Sequence, residues 1–427
     1  MQRHLLLFLG FLLSSATMGH ADWPAFLGGQ QRAESAGFQP PTKWSDQSGI
    51  LWQTPLDGHG QSSPVVVGDR IYVTSIDGPM KETNRVVCVD LATGKERWRH
   101  ESASSLQVKN DVYTSRAAPT PAADPNGVFA FFESGNLIAL ENDGNVRWQR
   151  DLLKDYGRFA GQFGLGGSLA QLEDRIIVLA DNDGPSYIAA ISKQTGETIW
   201  KSDRTSRTAW TSPMIVSVQG EPQIVVSSAG TIDGYAPDNG ELLWTYDEVG
   251  GNTVASPVPV GEDSFLVGAS PGRNGESGEG AARSNLLMKI EKTNDGYQPR
   301  VVWINDKVTS SFGSPIGYRG HAYFTNRAGV VFCVDLKTGE TSYTARMAES
   351  NWATPIGVGD NVFFFGKDGV TTVLKTGGEQ TTIAENRLWQ AGGDGGSGGF
   401  GGEIQYGVAA LPDGFIVRTG SRLFRLK

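Results

Sequence analysis

Short runs of alternating apolar and polar residues, separated by tight turns, recur along most of the chain. Residues 62–98 contain one complete unit with four such runs: Ser63 to Val67, Arg70 to Ser75, Arg85 to Asp90, and Lys95 to Arg99. A period of two is typical of strands that bury one face. Gly and Asp residues between the runs tolerate the backbone of tight hairpins. The unit therefore predicts a four-stranded antiparallel sheet.

The same unit returns six more times. Its later copies open at Ala118-Pro119, Gly167-Ser168, Ser212-Pro213, Ser256-Pro257, Ser314-Pro315 and Thr354-Pro355. A turn glycine stands four residues before a strand aromatic in five units: Gly94 and Trp98, Gly144 and Trp148, Gly196 and Trp200, Gly240 and Trp244, Gly339 and Tyr343. The openings are roughly 40 to 58 residues apart, which is the period range of propeller blades.

The two ends of the repeat region complete each other. The last unit, Gly407 to Lys427, contains three predicted strands and then the chain ends. An isolated strand, Ile50 to Leu56, precedes the first unit, and its Trp52 matches the aromatic of the missing fourth strand. Joining them closes the ring and removes exposed sheet edges. The sequence therefore predicts an all-β, eight-bladed β-propeller, closed by an N-terminal strand that pairs into the last blade.

Two other folds explain the pattern less well. A β-sandwich does not require a blade-length repeat, and a pair of smaller domains requires a linker that the chain lacks. The glycine-rich stretches 271–280 and 391–402 fall inside the repeat frame, so they are interpreted as inserted loops. Residues 50–427 are therefore predicted to be a single propeller, preceded by an arm of residues 22–49.

The first 21 residues have the layout of a secretory signal peptide. Arg3 and His4 precede a short apolar run, and small residues lead to a cleavage point after Ala21. The run is too short to span a bilayer, although a retained anchor is the alternative interpretation. The cleavage point has no neighbouring cysteine, which argues against a lipoprotein. We expect a periplasmic or secreted protein without a membrane span.

Composition narrows the possible partners. The net charge is −9 and no basic run occurs, which disfavours nucleic acid and anionic membrane surfaces. Glycine is abundant, with 56 residues, and much of it falls in the predicted turns and loops.

The Ser/Thr-Pro opening, the Asp-x-x-Thr-Gly turn and the following Trp resemble the PQQ-like propeller repeat. The segment from Asp22 to Gly28, read as Asp-Trp-Pro-Ala-Phe-Leu-Gly, is similar to the start of exported proteins of this kind. Along nearly all of its predicted mature length the chain resembles the outer-membrane assembly factor BamB and its exported relatives. The resemblance implies a quinoprotein alcohol dehydrogenase-like, WD40-like propeller that is often not catalytic.

The two cysteines occupy the same repeat position in blades one and six. Three blade steps separate Cys88 from Cys333, which is too far for a disulfide, so both are expected to be buried thiols. PQQ-dependent alcohol dehydrogenases of the resembling family carry an adjacent cysteine pair and calcium ligands. The chain has no such pair, and no metal site is predicted: its histidines lack zinc spacing, and Asp181-Asn182-Asp183-Gly184 is favoured as a turn.

Two groups of residues are singled out by position. Aromatics at the fourth-strand position are expected to pack between blades: Trp52, Trp98, Trp148, Trp200, Trp244, Trp303 and Tyr343. The loops that precede the first strands share one face and reach the central axis. They bring candidate binding residues to one mouth: His59, Gln61, Arg116, Phe163, Trp210, Asn252, Trp352 and Tyr406. The alternative is that these side chains fill the channel.

No catalytic residue is assigned, which favours a binding or scaffold propeller of the cell envelope, expected to be a monomer. Its partner would be an envelope protein, a peptide or a small ligand at the mouth. The alternative function is a quinoprotein oxidoreductase with PQQ and calcium. A hydrolase or lyase acting on polysaccharide is a third hypothesis, which the aromatics permit but no paired carboxylates support.

Overall fold

The computed structural model describes residues 22–29, 38–272, 277–390 and 403–427. Within these ranges the chain forms eight four-stranded antiparallel sheets, which confirms the predicted eight-bladed propeller. The predicted signal peptide and the glycine-rich stretch 391–402 lie outside the described residues. None of the helices in the described ranges is long and apolar enough to cross a membrane.

The first four blades follow one another along the chain. Blade 1 consists of Val65–Val67, Arg70–Asp77, Thr83–Asp90 and Glu96–Ala103. Blade 2 consists of Ala122–Asp124, Gly127–Phe131, Asn136–Glu141 and Val146–Asp151. Blade 3 consists of Ala170–Gln171, Arg175–Ala180, Ser186–Ser192 and Thr198–Arg204. Blade 4 consists of Met214–Val218, Glu221–Ser228, Thr231–Tyr235 and Leu242–Tyr246.

The next three blades repeat this order, and the eighth is shared by the two ends of the repeat region. Blade 5 consists of Val258–Pro259, Ser264–Val267, Leu286–Thr293 and Gly296–Ile304. Blade 6 consists of Ile316–Tyr318, His321–Thr325, Val330–Asp335 and Thr341–Arg346. Blade 7 consists of Ile356–Val358, Asn361–Phe365, Val370–Lys375 and Thr382–Arg387. Blade 8 consists of Gln405–Leu411, Gly414–Thr419 and Arg422–Leu426, with Ile50–Pro55 as its outer strand.

Ring closure depends on the pairing of that outer strand. Ile50–Pro55 runs antiparallel to Arg422–Leu426, with Gln53 opposite Phe424 and Thr54 opposite Leu423. In the described part of the chain, three short helical segments interrupt the β-structure: Phe26–Gly28, Leu152–Tyr156 and Gly278–Ala282. The buried apolar residues form clusters between adjacent blades rather than one central core. Each blade is therefore stabilised mainly by its two neighbours.

The fourth-strand tryptophans contact the turn of the following blade. The Trp98 Nε1–H group donates to the Asn142 carbonyl at 2.8 Å, and a Cβ on Gly144 would lie 2.8 Å from the indole. The same arrangement joins four other tryptophans to the next blade: Trp52, Trp148, Trp200 and Trp303. Trp244 differs, because its Nε1–H group donates to Gln223 of its own blade. Glycine is needed at these turns because the indole occupies the space of a side chain.

The Ser/Thr residues that open the units link neighbouring first strands. Each backbone N–H donates to a hydroxyl oxygen of the next blade, at 2.8 to 3.0 Å. The accepting side chains are Thr120, Ser168, Ser212, Ser256, Ser314 and Thr354. Blade 8 has no such hydroxyl link, because the glycine Gly407 lies against Ser63 of blade 1. The motif that marks the repeat therefore holds the inner rim of the ring together.

The N-terminal arm crosses the hairpin end of the central channel. Trp23 pairs with Val66 of blade 1, and the Pro24 carbonyl accepts from Ala123 of blade 2 at 2.8 Å. Trp23 is buried and borders an apolar pocket of about 70 Å³ on the inner strands of blades 4 to 7. Further along, buried Trp44 packs on blades 7 and 8. The arm therefore narrows the channel from one end.

Candidate functional site

We call the face formed by the segments that precede the first strands the mouth. These segments share one face because every first strand begins there and ends at a hairpin on the opposite face. Residues 104–121 and 152–169 are long connections, and both reach this face beside blade 2. They build up one side of the mouth.

Arg116 lies on the inner side of the mouth and is 8% exposed. Its backbone N–H group donates to Gln61 Oε1 at 2.9 Å, and its carbonyl accepts from the Gln61 N–H group at 3.0 Å. This reciprocal pair fixes the backbone from which the guanidinium extends. The Nη2 group reaches the Tyr406 hydroxyl at 3.4 Å, and the Nε group is buried with no hydrogen-bond partner among the described residues.

His59 packs beside this arginine with its ring edge-on to Tyr406, at a centroid distance of 5.9 Å. Its Nε2 atom is buried and has no hydrogen-bond partner in the described part of the chain. Burial lowers the pKa of His59 to about 3, and the charges of Arg116 and Arg418 act in the same direction. The imidazole is therefore neutral at physiological pH.

Arg418 lies beneath the mouth, in the second strand of blade 8, and is completely buried. Its guanidinium donates to the carbonyl and hydroxyl oxygens of Ser62 and to the Thr74 carbonyl. Burial lowers the pKa of Arg418 to about 9, so it still carries its charge at neutral pH. A Cβ on Gly60 would lie 1.9 Å from Nη2, so the close approach of the loop requires glycine there.

The aromatic residues at the mouth form two contact groups. Trp352 lies between Phe312 and Tyr406, with centroid distances of 4.9 and 6.2 Å. Phe163 packs edge-on against Trp210 at 5.8 Å, and the Trp210 Nε1–H group donates to the Gly164 carbonyl. The first group adjoins Arg116 and His59 through Tyr406, whereas the second lies on the side built by the long connections.

Asn252 occupies a different environment from the other predicted mouth residues. It is completely buried, and its Oδ1 atom accepts from the Gly230 N–H group at 2.9 Å. Its Nδ2 group donates to Ser227 Oγ and to the Thr231 carbonyl. These bonds hold a turn of blade 4, so the geometry leaves this amide no free group for a ligand.

A small pocket of about 80 Å³ opens between the two long connections. Leu106, Phe159 and Leu165 provide apolar walls, and a buried ion pair between Lys81 and Glu133 lies at its base with 3.6 Å between Nζ and Oε1. Burial lowers the pKa of Lys81 and raises the pKa of Glu133. Lys81 Nζ also donates to Thr114 Oγ1 at 2.9 Å and to the Ser115 carbonyl, so the ammonium is held in place.

Sequence reasoning missed Arg418, Lys81 and Glu133. The signal available for Arg418 was a charged residue directly after three apolar residues of a second strand, Phe-Ile-Val-Arg-Thr. Its proximity to the mouth could not be read from the sequence, because Ser62 lies 356 residues away along the chain.

The described residues do not fit a calcium-bound quinone. Cys88 and Cys333 are separate buried thiols, and burial raises their pKa values to about 12 and about 11. No group of three His, Cys, Asp or Glu side chains within the described ranges could hold a metal ion. Asp181 of the predicted turn is instead paired with Arg204 at 2.8 Å.

Comparison with known proteins agrees with the architecture. The solved structure of BamB from Moraxella catarrhalis superposes with a TM-score of 0.60 at 15% identity, over 88% of this chain and 97% of that one. Quinohemoprotein alcohol dehydrogenase from Comamonas testosteroni superposes with a TM-score of 0.58 at 13% identity, over 95% of this chain and 80% of that one. At these identities the likeness concerns the fold alone.

Sequence comparison leads to one family. The outer membrane protein assembly factor BamB of Alkalilimnicola ehrlichii is 28% identical over 217 residues, which is 49% of each chain. The matched segment thus spans about half the length of that curated relative. The family profile described as outer membrane protein assembly factor BamB matches residues 37–164 and 158–345. These matches cover more than half of the chain, which therefore belongs to the BamB family of PQQ-like repeat propellers.

Proposed function

We propose that this protein is an exported, non-catalytic scaffold of the cell envelope that binds a partner in outer-membrane protein assembly through its mouth. Membership of the BamB family supports the general role, and the predicted signal peptide supports export to the periplasm. An acidic chain with no basic run suits a protein partner better than nucleic acid. The proposed unit is a monomeric ring.

The exposed aromatic rim of the mouth is the observation that carries the proposal. Tyr113 is 59% exposed, Phe312 41% and Phe163 39%, so each leaves more than a third of its surface open to a partner. Aromatic residues are enriched at the centres of protein–protein interfaces because they bury a large area at a small entropic cost. A rim of this kind favours a protein segment as the occupant of the mouth.

The alternative of a quinoprotein oxidoreductase has less support. The described residues contain no adjacent cysteine pair and no group of three His, Cys, Asp or Glu side chains that could hold a metal ion. The structural likeness to a quinohemoprotein dehydrogenase extends to the fold and not to these groups.

Affinity capture from outer-membrane extracts of the native host tests the proposal. The exported, tagged chain should retain components of the outer-membrane protein assembly machinery. The variant Phe163→Ser should lose this retention, because it removes an exposed rim aromatic. The matched control is Val146→Ser on the outer strand of blade 2, which is 44% exposed and should retain the partner fully.

Failure to capture any assembly component with correctly exported protein would contradict the scaffold role. Equal capture by both variants would instead show that the partner does not bind at the mouth.

A further inference from the structure

Two of the buried arginines lack a carboxylate partner, and both belong to the mouth. Arg85 pairs with Glu101 and Asp77, and Arg425 pairs with Asp413. By contrast, Arg116 and Arg418 form no ion pair with any described residue, although they are 8% and 0% exposed. The uncompensated positive charge of the buried arginines is therefore confined to one side of the ring.

The groups around these two guanidiniums cannot supply a compensating charge. Arg116 contacts the neutral hydroxyl of Tyr406, and Arg418 contacts neutral oxygens of Ser62 and Thr74. His59 would add a positive charge if it were protonated, and Lys81, whose charge interacts with that of Arg116, is also a cation. The nearby Glu133 carboxylate, which accepts from the Ala117 N–H group, is paired with Lys81. The Arg116 Nε and His59 Nε2 atoms are both buried without a hydrogen-bond partner among the described residues.

Such an arrangement is costly unless an anion completes it. Burying a charge without a counter-charge is strongly unfavourable, and an unpaired buried polar atom adds a further penalty. Arg418 is too deeply buried to be reached, so it acts on the site only through its charge. Arg116 retains a small exposed area at the mouth and is the guanidinium that a ligand can contact.

We propose that the inner side of the mouth binds a carboxylate group, with Arg116 as its ion-pair partner and Tyr406 as a hydrogen-bond donor. The guanidinium fork matches the two oxygens of a carboxylate. Trp352 and Tyr406 provide aromatic surface for the apolar part of the ligand. One accessible guanidinium between aromatic rings suits a monoanionic carboxylate better than a phosphate dianion, which requires more donors.

The carboxylate can belong to the end of a peptide chain or to a free organic acid. The first source deepens the proposed scaffold function and rests on it, since a partner segment would then insert its carboxyl terminus into the mouth. The second source is independent of it. The carboxylate site itself does not depend on which source is correct.

Titration of the purified mature chain with defined probes tests the site. The probes are acetate, succinate, and a tetrapeptide ending in Leu with either a free carboxylate or a carboxamide, all at matched ionic strength. Tryptophan fluorescence reports binding, because Trp352 packs against Tyr406. At least one carboxylate should bind, whereas the carboxamide peptide should not. Preference for the peptide acid over both free acids identifies a chain terminus as the source, and the reverse order identifies a free acid.

Substitution of Arg116 provides the decisive comparison. Arg116→Met should reduce carboxylate affinity at least about tenfold, the effect of losing hydrogen bonds to a charged group. Arg116→Lys keeps the charge but not the fork and should bind with intermediate affinity. The matched control, Arg300→Met, removes a 67%-exposed arginine from blade 5 and should leave affinity unchanged.

The unliganded protein gives a second readout that a purely structural arginine would not produce. Arg116→Met should raise the melting temperature without ligand, because it removes a buried charge that lacks a partner. The proposal is overturned if no carboxylate binds the wild-type chain, or if Arg116→Met binds the carboxylate as tightly as the wild-type chain does. A fall in melting temperature of Arg116→Met would also count against it. Because these assays use purified protein alone, they can succeed even if capture of an assembly partner fails.

Discussion

At the scale of single residues, the burial of charge separates structural from candidate functional groups. The side chain of Arg204 is almost completely buried, and it is paired with Asp181 at 2.8 Å and Asp233 at 3.0 Å between blades 3 and 4. Its charge is therefore compensated within the fold. Arg116 and Arg418 are buried to a similar degree without such partners. A buried arginine thus stabilises the ring where carboxylates surround it, and forms a candidate anion site where none does.

The compensated pair leads to a stability prediction. Arg204→Met would leave two buried carboxylates without their cation, which typically costs about 3–5 kcal/mol. Urea denaturation should show this loss as a lower midpoint. The exposed pair between Arg300 and Glu291 is the control, because Arg300→Met should cost at most about 1 kcal/mol. Equal losses in the two variants would show that Asp181 and Asp233 do not depend on Arg204.

His59 leads to a prediction about acid stability. Its pKa is about 3 in the folded chain, against an ordinary value of 6.5 for an exposed histidine, so below pH 6.5 the unfolded chain binds a proton that the folded chain excludes. The free energy of unfolding should therefore fall as the pH is lowered from about 6.5 to 3, by up to about 1.4 kcal/mol per pH unit from this group.

The variant His59→Gln should lose this part of the slope, measured by urea denaturation across that range. The control variant His321→Gln, on blade 6 and away from both mouth arginines, should keep the contribution of His59. An unchanged slope in His59→Gln would mean that His59 titrates normally in the fold.

At the scale of elements, a blade is defined as much by its neighbour as by its own strands. The turn glycines Gly94, Gly144 and Gly196 each accommodate the indole of the preceding blade. At Gly296 of blade 5 an added Cβ would meet no atom within 4 Å, and Trp244 correspondingly turns to Gln223. The fixed spacing in the sequence therefore reflects a contact between blades.

Substitution of two glycines distinguishes the cost of displacing the indole from the cost of backbone strain. Gly144 and Gly220 both lie at positive φ, +88° and +82°, but only at Gly144 would a Cβ meet an indole. Gly220→Ala should cost about 1 kcal/mol from strain alone. Gly144→Ala should cost clearly more, and the near-ultraviolet circular dichroism should change because Trp98 is displaced. Equal costs in urea denaturation would show that the turn does not constrain the indole.

Much of this arrangement could be predicted because the repeat is long and regular. The period indicated the eight blades, and the unmatched strand with Trp52 indicated the closure of the ring. A periodic sequence cannot show whether a glycine and an aromatic meet within a blade or between two, so the order of contact emerged only from the structure. The sequence predicted that the loops before the first strands meet at one mouth, and in the structure Arg116 Nη2 lies 3.4 Å from the Tyr406 hydroxyl. The sequence could not show that the hydrogen-bonding groups of the Asn252 side chain are used within the fold, or that Arg418 approaches Ser62.

At the scale of the whole molecule, the ring has two unlike ends. The hairpin end is crossed by the arm through Trp23 and Pro24, which pair with blades 1 and 2. The opposite end presents the exposed aromatics and the uncompensated arginine. Closure of blade 8 by Ile50–Pro55 places the segment of His59 and Gln61 directly after the closing strand. The fold thereby couples ring closure to the geometry of the mouth.

Site-specific photo-crosslinking in the native host tests most directly the claim that the mouth is the binding surface. A photoreactive residue replaces Phe163 at the mouth, or Ile199 on the outer strand of blade 3, which is 40% exposed. We expect a discrete adduct with an outer-membrane assembly component from position 163 and none from position 199. Adducts from position 199 alone would contradict the claim, because the partner would then bind the outer rim of the ring.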